Sequence, residues 1–279
     1  MAARKKSARR TVSRPGGAHA HKVNSSSVPA KTIKDLPEFI RFVHTDCNTE
    51  TVLFRGQGED WALLPKLGRI KPREDDLAQT ERRMLADFKR RSIPFLARPL
   101  ETDWDWLALA QHHGMATRLL DWTENPLAAL WFAVRRAGRS DRPGVVYVFH
   151  PEDRDILDAE ALRAQPAGPH EGKRTQVYRP NMVTQRLVAQ SGWFTVHKYI
   201  DGEKRFVPLE KHKVYKHALF KLLVPHQHFG DIRFFLDRLG VNQASLFPDL
   251  DGLSNYVEWL NTTSPDEDGI IGAPRPVLR

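Results

Sequence analysis

The sequence predicts an α+β fold, in which a single mixed domain has a central sheet flanked by helices. Short β-branched and aromatic runs, of which GVVYVFH at 144–150 is the clearest, have the composition of buried strands. Between these runs lie segments whose apolar residues recur at helical spacing. The chain has 279 residues, 41% of them apolar, and shows no internal repeat. It is therefore long enough for one core of about 230 residues.

We expect three parts: a disordered basic tail at 1–31, a folded domain at 32–261 and a flexible C-terminal tail at 262–279. The first 30 residues carry seven Lys or Arg and no Asp or Glu, so +7 of the formal net charge of +9 lies there and +2 in the remainder. Such a segment cannot bury enough apolar surface to fold alone. It either keeps the protein soluble or contacts the phosphates of nucleic acid.

Several classes of protein and site are not indicated by the sequence. No apolar run approaches the roughly 20 residues that span a bilayer, and no secretory signal is visible, so we expect a cytoplasmic protein. Cys47 is the single cysteine, which excludes an intramolecular disulfide and a Cys-based zinc site. The dinucleotide, P-loop, nucleophile-elbow and zinc-protease motifs are absent. We expect no metal site, because the adjacent His112 and His113 would point in different directions.

The first elements follow from local spacing. We expect amphipathic helices at 32–43, with Leu36, Phe39, Ile40 and Val43 inward, and at 75–91. A short buried strand at 52–54 should lie between them. Arg55 to Gly58 then leave that strand, and the glycines would let the backbone turn or approach a ligand closely. Arg55 either pairs with an internal carboxylate or points into a cleft, and the residues favour neither.

The stretch Leu107–Val134 concentrates polar residues at the ends of apolar elements, which is typical of a site. A helix should end at His112 and His113, with Gly114 just beyond it. Leu119 and Leu120 predict a short strand that Asp121 to Thr123 leave. Thr123 or Asn125 can cap the next helix, and Pro126 fits its first turn.

The later elements are also predicted from composition and spacing. They are a strand at 144–150, a helix at 153–164, a polar loop at 167–180, strands at 193–196 and 216–225, and helices at 229–240 and 253–260.

A long series of motifs, in order, resembles the FRG domain family, which is named for a Phe-Arg-Gly motif. The resemblance covers nearly all of residues 32–261, and the family name implies no particular reaction. The matching residues are Phe54-Arg55-Gly56, Gln111 to Gly114, Thr117 to Thr123, Asn125-Pro126, Ala129-Leu130, Phe132-Ala133, Arg186, Gln190, Gly192, Phe194 and Ser245 to Gly252.

A weaker similarity is to ADP-ribosyltransferases of the arginine–serine–glutamate type. Arg55-Gly56 looks like the Arg-Gly at the end of their early strand, and Leu120–Thr123 followed by Ala129–Ala133 looks like their strand that runs into a helix. This similarity implies an ADP-ribosyltransferase-like fold, in which Arg55 would hold the pyrophosphate or ribose of NAD through its charged fork. NAD is then a candidate substrate, and no resident cofactor is indicated.

The late strands depart from that pattern. They carry Gln190 where the transferases have a catalytic Glu, and Glu203 and Glu210 lie in a loop-like stretch. A Gln cannot stabilise an oxocarbenium-like centre as a carboxylate does. Either the chemistry differs or the fold binds without transferring a group.

These considerations predict one site. Its catalytic candidates are Arg55, His112, His113, Asp121 and Gln190, and its substrate-binding candidates are Gly56, Gln57, Gln111, Arg118, Thr123 and Arg186. A His–Asp pair could act as acid and base. With equal weight, Asp121 caps the following helix or pairs with Arg118 or Arg55.

Two functions fit the predicted site. The first is an enzyme that acts on a nucleotide or nucleic acid, as a toxin or phage-defence effector would. The second is a non-catalytic binding module whose polar cluster is an internal network and whose basic tail contacts nucleic acid. A metal-dependent nuclease would need clustered carboxylates, which the sequence does not show.

Overall fold

Strands from the whole length of the chain form the main sheet of the protein in a computed structural model, which describes residues 28–73, 76–96, 100–137, 142–157, 168–181 and 188–267. The strands are β1 (Ala30–Thr32), β2 (Leu53–Gln57), β3 (Leu119–Thr123), β4 (Gly144–Phe149), β5 (Ile156–Leu157), β6 (Gln176–Tyr178), β7 (Gly192–Val196), β8 (Tyr199–Ile200), β9 (Arg205–Phe206) and β10 (Leu219–Val224). Their order in the sheet is β1-β10-β4-β2-β3-β7-β6-β5, while β8 and β9 form a separate hairpin.

The described helices lie between the first four strands and after the last one, which confirms the predicted α+β fold with a mixed sheet flanked by helices. The helices are α1 (Leu36–Asp46), α2 (Leu77–Ser92), α3 (Asp103–His112), α4 (Pro126–Val134), α5 (Phe229–Arg238), α6 (Gln243–Leu246) and α7 (Leu250–Asn261). β1 runs parallel to β10 and β5 parallel to β6, and the other neighbours in the sheet are antiparallel.

The helices cover one face of the sheet in two groups. The apolar sides of α1, α4 and α5 pack on β2, β4 and β10, and those of α2 and α3 pack on β3, β6 and β7. Both groups lie on the same face of the sheet. Phe54, in the first group, pairs with Thr123, and Leu119, in the second group, lies four residues before Thr123 on β3. Side chains an even number of residues apart on a strand point to the same face.

The opposite face carries loops instead of long helices. Tyr147, Phe149, Trp122 and Trp193 form its core, and loop residues such as Leu63 close it. Since both faces are covered, β4 and β7 are buried along their whole length. This explains why these strands appear in the sequence as continuous apolar runs rather than alternating ones.

Helix α4 crosses β2 at unusually short range. A Cβ atom on Gly56 would lie 1.7 Å from the Ala129 carbonyl oxygen and 2.8 Å from the Ala133 nitrogen. The helix begins as predicted, since Asn125 caps it by accepting hydrogen bonds from the N–H groups of Leu127 and Ala128. Gly56 therefore allows a close approach, but to a helix backbone rather than to a ligand.

Several predicted boundaries are wrong. β2 continues to Gln57 and β3 to Thr123, so the polar residues thought to follow these strands lie within them. The predicted loop at 167–180 contains β6, and the predicted helix at 153–164 begins as one 3-10 turn followed by β5, with 158–164 outside the described residues. In α1, Ile40 is exposed and Phe42 is buried, because the helix buries only the side that faces the sheet.

The structured part includes residues from both predicted tails. Ala30 and Lys31 lie in β1, paired with Lys221 and Leu222 of β10. Glu267 is buried in an ion pair with Arg233. Residues 1–27 and 268–279 lie outside the described part, so their predicted disorder stays a prediction. In the described ranges, no helix has the length and apolar character needed to cross a membrane.

The contact between Gly56 and α4 gives a test of the packing. We expect Gly56→Ala to lower the free energy of unfolding by about 3 kcal/mol or more, because the methyl group would meet a backbone carbonyl that cannot move alone. Gly58→Ala is the matched control, since the nearest atom there is a Trp61 ring carbon at 4.0 Å. It should change stability by no more than about 0.5 kcal/mol. Urea unfolding of both variants checks this, and equal losses would contradict the close approach.

Candidate functional site

The hydrogen-bonded ladder between β2 and β3 stops after a single pair. β2 pairs with β4 from Leu53 to Gln57, but with β3 only where Phe54 meets Thr123. Beyond that pair, toward Gln57 on β2 and toward Leu119 on β3, the two strands are not paired with each other. We call this part of the sheet the β2–β3 interval.

Arg55 lies in the β2–β3 interval and bridges its two sides. Its Nε donates to Gln57 Oε1 at 3.2 Å, and its Nη1 donates to the Asp121 carbonyl oxygen at 2.7 Å. Nη1 also lies 3.6 Å from Asp121 Oδ2, and the Arg55 side chain is 18% exposed. Burial lowers the pKa of Arg55, Asp121 opposes the shift and the charge of Arg69 adds to it. A guanidinium stays protonated all the same, so a fixed positive charge occupies the interval.

The side chain of Asp121 is the acid of the site and is 58% exposed. Gln111 Nε2 donates to both of its carboxylate oxygens, at 3.2 and 3.1 Å, and Gln111 Oε1 accepts from Thr117 at 2.6 Å. Asp121 therefore does not cap α4, which Asn125 caps, and it does not pair with Arg118. Of the alternatives left open by the sequence, the pairing with Arg55 is the one the structure shows.

The two histidines lie at the end of α3 next to Gln111. Their rings meet edge to face, with centroids 4.8 Å apart and planes at 87°. His112 is half-buried and His113 is exposed, and Gly114 has the positive φ of +81° expected at a helix end. Lys66 Nζ donates to the Gly114 carbonyl at 2.7 Å and brings another positive charge to this rim. Hydrogen bonds thus bring Arg55, Gln57, Gln111 and Asp121 together, and the two histidines follow Gln111 in the chain.

Thr123 and Gln190 lie at the paired end of β3 instead. The Thr123 hydroxyl donates to the Gln190 carbonyl at 2.5 Å and accepts from the Asn125 N–H at 2.9 Å. The Gln190 side chain donates to the Leu246 carbonyl at 3.0 Å, which ties it to α6. The structure therefore does not bring the Gln190 side chain to Arg55. Arg186 lies outside the described residues.

Arg118 and Gly56 both pack against helices. Arg118 is 3% exposed and its Nε and backbone N–H both donate at 2.7 Å to the fully buried carboxylate of Glu81. This ion pair ties the start of β3 to α2. The described contacts of Arg118 and Gly56 are thus with α2 and α4, and their predicted substrate-binding roles stay predictions.

Buried polar residues that were not predicted from the sequence lie beneath the site. Trp122 Nε1 donates to Thr195 Oγ1 at 3.0 Å, and that oxygen lies 3.1 Å from His197 Nε2. His197 is 1% exposed, and burial lowers its pKa to about 3, with the charges of Arg55 and Arg118 contributing. Its imidazole is therefore neutral. The alternation of Trp193 and Thr195 on β7 with His197 just after it was the signal in the sequence, but it reveals a shared face and not a partner.

Beside Arg55 in the sheet, β4 places Tyr147 directly opposite. The Tyr147 hydroxyl donates to Asp60 Oδ1 at 2.5 Å, and Lys221 Nζ lies 2.6 Å from Asp60 Oδ2. Burial and the bond to Asp60 raise the pKa of Tyr147, so the phenol stays protonated. Within the described part, no group of three or more His, Cys, Asp or Glu could hold a metal ion.

The FRG domain family model matches residues 50–142, which include β2, α3, β3 and α4 and therefore the residues that converge on the β2–β3 interval. This match confirms the resemblance seen in the motifs. The motifs around Gln190 and Ser245 lie beyond the matched residues. No curated protein and no solved structure matches the chain.

The Glu81–Arg118 pair predicts a pattern of stability changes. Arg118→Met leaves a buried carboxylate without its partner, so we expect a loss of about 3–5 kcal/mol in the free energy of unfolding. The double change Arg118→Met with Glu81→Met removes both charges and should be clearly more stable than the single variant. Urea unfolding measures both, and a loss below about 1 kcal/mol for Arg118→Met would contradict a structural role.

The neutral His197 predicts acid sensitivity. The folded protein keeps this imidazole unprotonated down to about pH 3, whereas the unfolded chain takes up its proton near pH 6.5. The unfolded state then binds more protons between these values, so stability falls as the pH is lowered through this window, by up to about 1.4 kcal/mol per pH unit.

We therefore expect His197→Gln to flatten the pH dependence of unfolding between pH 6.5 and 3. The exposed His44→Gln is the control and should keep the wild-type slope. Urea unfolding at several pH values provides the comparison. An unchanged slope in His197→Gln would show that His197 is not held neutral.

Proposed function

With an FRG domain at residues 50–142 as the premise, we propose that the protein is an enzyme that acts on a nucleotide, with NAD as the candidate substrate. The nucleotide phosphates bind at the β2–β3 interval. The observation that carries the proposal is Arg55, a partly exposed guanidinium between two strands, beside the exposed carboxylate of Asp121. Such a pairing of a fixed cation with an open acid suits a substrate that has phosphates next to a reacting sugar.

Arg55 has the donors that a phosphate requires. Its Nε and Nη1 are bound to Gln57 and Asp121, while Nη2 makes no hydrogen bond among the described residues. An incoming phosphate oxygen meets that nitrogen without displacing the bonds that orient the guanidinium. Arg69 lies close enough to lower the pKa of Arg55, and Lys66 lies at the rim. These charges attract an anion to the interval.

Asp121 supplies the catalytic carboxylate that the late strands do not provide. If the nicotinamide–ribose bond of NAD breaks, positive charge develops at the ribose carbon, and a carboxylate beside it lowers the barrier. We assign to His112 and His113, which follow Gln111 at the end of α3, the role of accepting the proton of the attacking water or hydroxyl group. This assignment replaces Gln190, whose side chain is tied to α6.

The acceptor and the setting are also part of the proposal. The basic tail, with +7 in the first 30 residues, is suited to hold a nucleic acid near the site through its phosphates. A protein with an ADP-ribosyltransferase-like fold that acts on a nucleic acid in the cytoplasm would work as a toxin or phage-defence effector.

A second candidate, a non-catalytic binding module, is favoured by a different observation. The hydrogen bonds of Arg55 and Asp121 to Gln57 and Gln111 leave both residues with partners inside the protein. In that case the cluster is an internal network that stiffens the sheet, and the basic tail does the binding. The two candidates predict different effects of Arg55 and Asp121 substitutions: loss of nucleotide binding and turnover for the enzyme, and loss of stability for the binding module.

We expect Arg55→Lys to weaken NAD binding at least tenfold, because the planar fork is lost while the charge is kept. Asp121→Asn should lower kcat by about 100-fold with a smaller change in KM, since the carboxylate acts on developing charge. Its exposure means that it should fold normally. Release of nicotinamide and the shift of Tm with NAD are the measurements. The exposed Arg41→Ala on α1 is the control.

The outcomes separate the two candidates. If neither NAD nor any other nucleotide shifts Tm or is consumed, and Arg55→Ala binds all that the wild type binds, the proposed enzyme is excluded. Loss of about 3–5 kcal/mol of stability in Arg55→Ala, without any nucleotide turnover by the wild type, supports the binding module instead.

A further inference from the structure

A pocket of about 280 Å³ lies at the C-terminal end of α4, where α5, α6 and α7 meet, and none of the predicted site residues lines it. We propose that it binds a nucleoside monophosphate, or a ligand of the same chemistry that joins a flat heteroaromatic ring to a phosphate. This inference does not rest on the proposed function of the β2–β3 interval.

The pocket has an aromatic wall held in place by hydrogen bonds. Tyr256 and Trp259 lie nearly parallel, at 28°, with centroids 6.0 Å apart, and Trp131 lines the pocket from α4. The Tyr256 hydroxyl donates to Asp237 at 2.8 Å, and Trp259 Nε1 donates to Glu267 at 2.8 Å. Rings fixed in this way provide a surface on which a nucleobase can stack at little cost in side-chain entropy.

Amide side chains stand beside the aromatic wall. Gln243 and Asn255 line the pocket, from α6 and α7. Asn255 uses its Nδ2 to donate to the Asp251 carbonyl, which leaves its carbonyl oxygen as an acceptor. An amide offers a donor and an acceptor side by side, which is the pattern that pairs with the polar edge of a nucleobase.

The pocket carries charges of both signs. Arg233 is ion-paired with Asp266 and Glu267, at 2.9 and 2.7 Å. Asp237 also lines the pocket, and its carboxylate accepts from Asn242 and Tyr256. The exposed arginines that follow α4 are therefore the cations of the lining that a phosphate can reach.

Two consecutive exposed arginines, Arg135 and Arg136, line the pocket. Arg135 lies over the rings of Trp131 and Phe132, at 5.8 and 5.4 Å, which orients its guanidinium. Arg136 makes no ion pair within the described ranges. A guanidinium group is suited to bind phosphate oxygens, because it presents several N–H donors in a fixed planar fork.

The size of the pocket limits the ligand. Its 280 Å³ is at the small end of the roughly 300–1,000 Å³ range of ligand pockets. A single nucleotide suits this volume better than a dinucleotide such as NAD. The pocket and the β2–β3 interval therefore take different ligands.

Calorimetric titration of the full chain with AMP, GMP, CMP and UMP tests the proposal, with adenosine and inorganic phosphate as separate probes. We expect at least one of the four to bind with a Kd below about 1 mM, and adenosine and phosphate alone to bind at least tenfold more weakly. Arg136→Ala should weaken binding about tenfold or more, and Gln243→Ala about threefold or more. The exposed Arg41→Ala on α1 should bind as the wild type does.

Thermal unfolding of each variant shows whether it is folded. Absence of binding by all four mononucleotides, equal affinity for phosphate alone, or equal binding by Arg136→Ala and Arg41→Ala would each overturn the proposal. Loss of binding in Arg55→Ala but not in Arg136→Ala would place the nucleotide at the β2–β3 interval instead.

Discussion

The bridge that Arg55 makes between β2 and β3 is the interaction on which the rest of the site depends. The two strands pair only through Phe54 and Thr123, and beyond this pair a side chain, not the main chain, connects them. A sheet normally satisfies its own backbone groups, so an unpaired stretch inside one is costly unless another donor is present. Arg55 meets this need at the Asp121 carbonyl and at the same time keeps a positive charge at the edge of solvent. A single residue thus bridges the two strands and keeps a charge close to solvent.

Each side of the interval is held by a different part of the fold. On one side, Gly56 lets α4 approach the backbone of β2, and β4 pairs with that strand along its length. On the other side, the buried Glu81–Arg118 pair ties the start of β3 to α2. Gln111 positions the Asp121 carboxylate from the end of α3. The acid and the cation are therefore fixed by separate supports, as a preorganised site requires.

Local signals in the sequence predicted much of this arrangement. Helix periodicity, the Asn125 cap, Gly114 and the GVVYVF strand located the main elements, and the polar ends of apolar runs located Arg55, Gln111 and Asp121. What could not be predicted depends on long-range packing. Nothing local to Arg118 shows that Glu81, on another helix, will bury with it. The extents of β2 and β3 were missed because their polar residues suggested loops, whereas tertiary pairing keeps them in strands. The hydrogen bond of Gln190 to the Leu246 carbonyl could not be predicted either, since the two residues are distant in sequence.

We propose that a nucleotide binds where β2 and β3 are not paired with each other. Hydrogen–deuterium exchange of the full chain with and without saturating NAD tests this directly, because the backbone amides that face the interval have no partner in the opposite strand and report any ligand that covers them. We expect slower exchange in peptides covering 53–57 and 119–123, with little change in α5 at 229–238. Unchanged exchange at both strands in the presence of bound NAD would show that the nucleotide does not bind there.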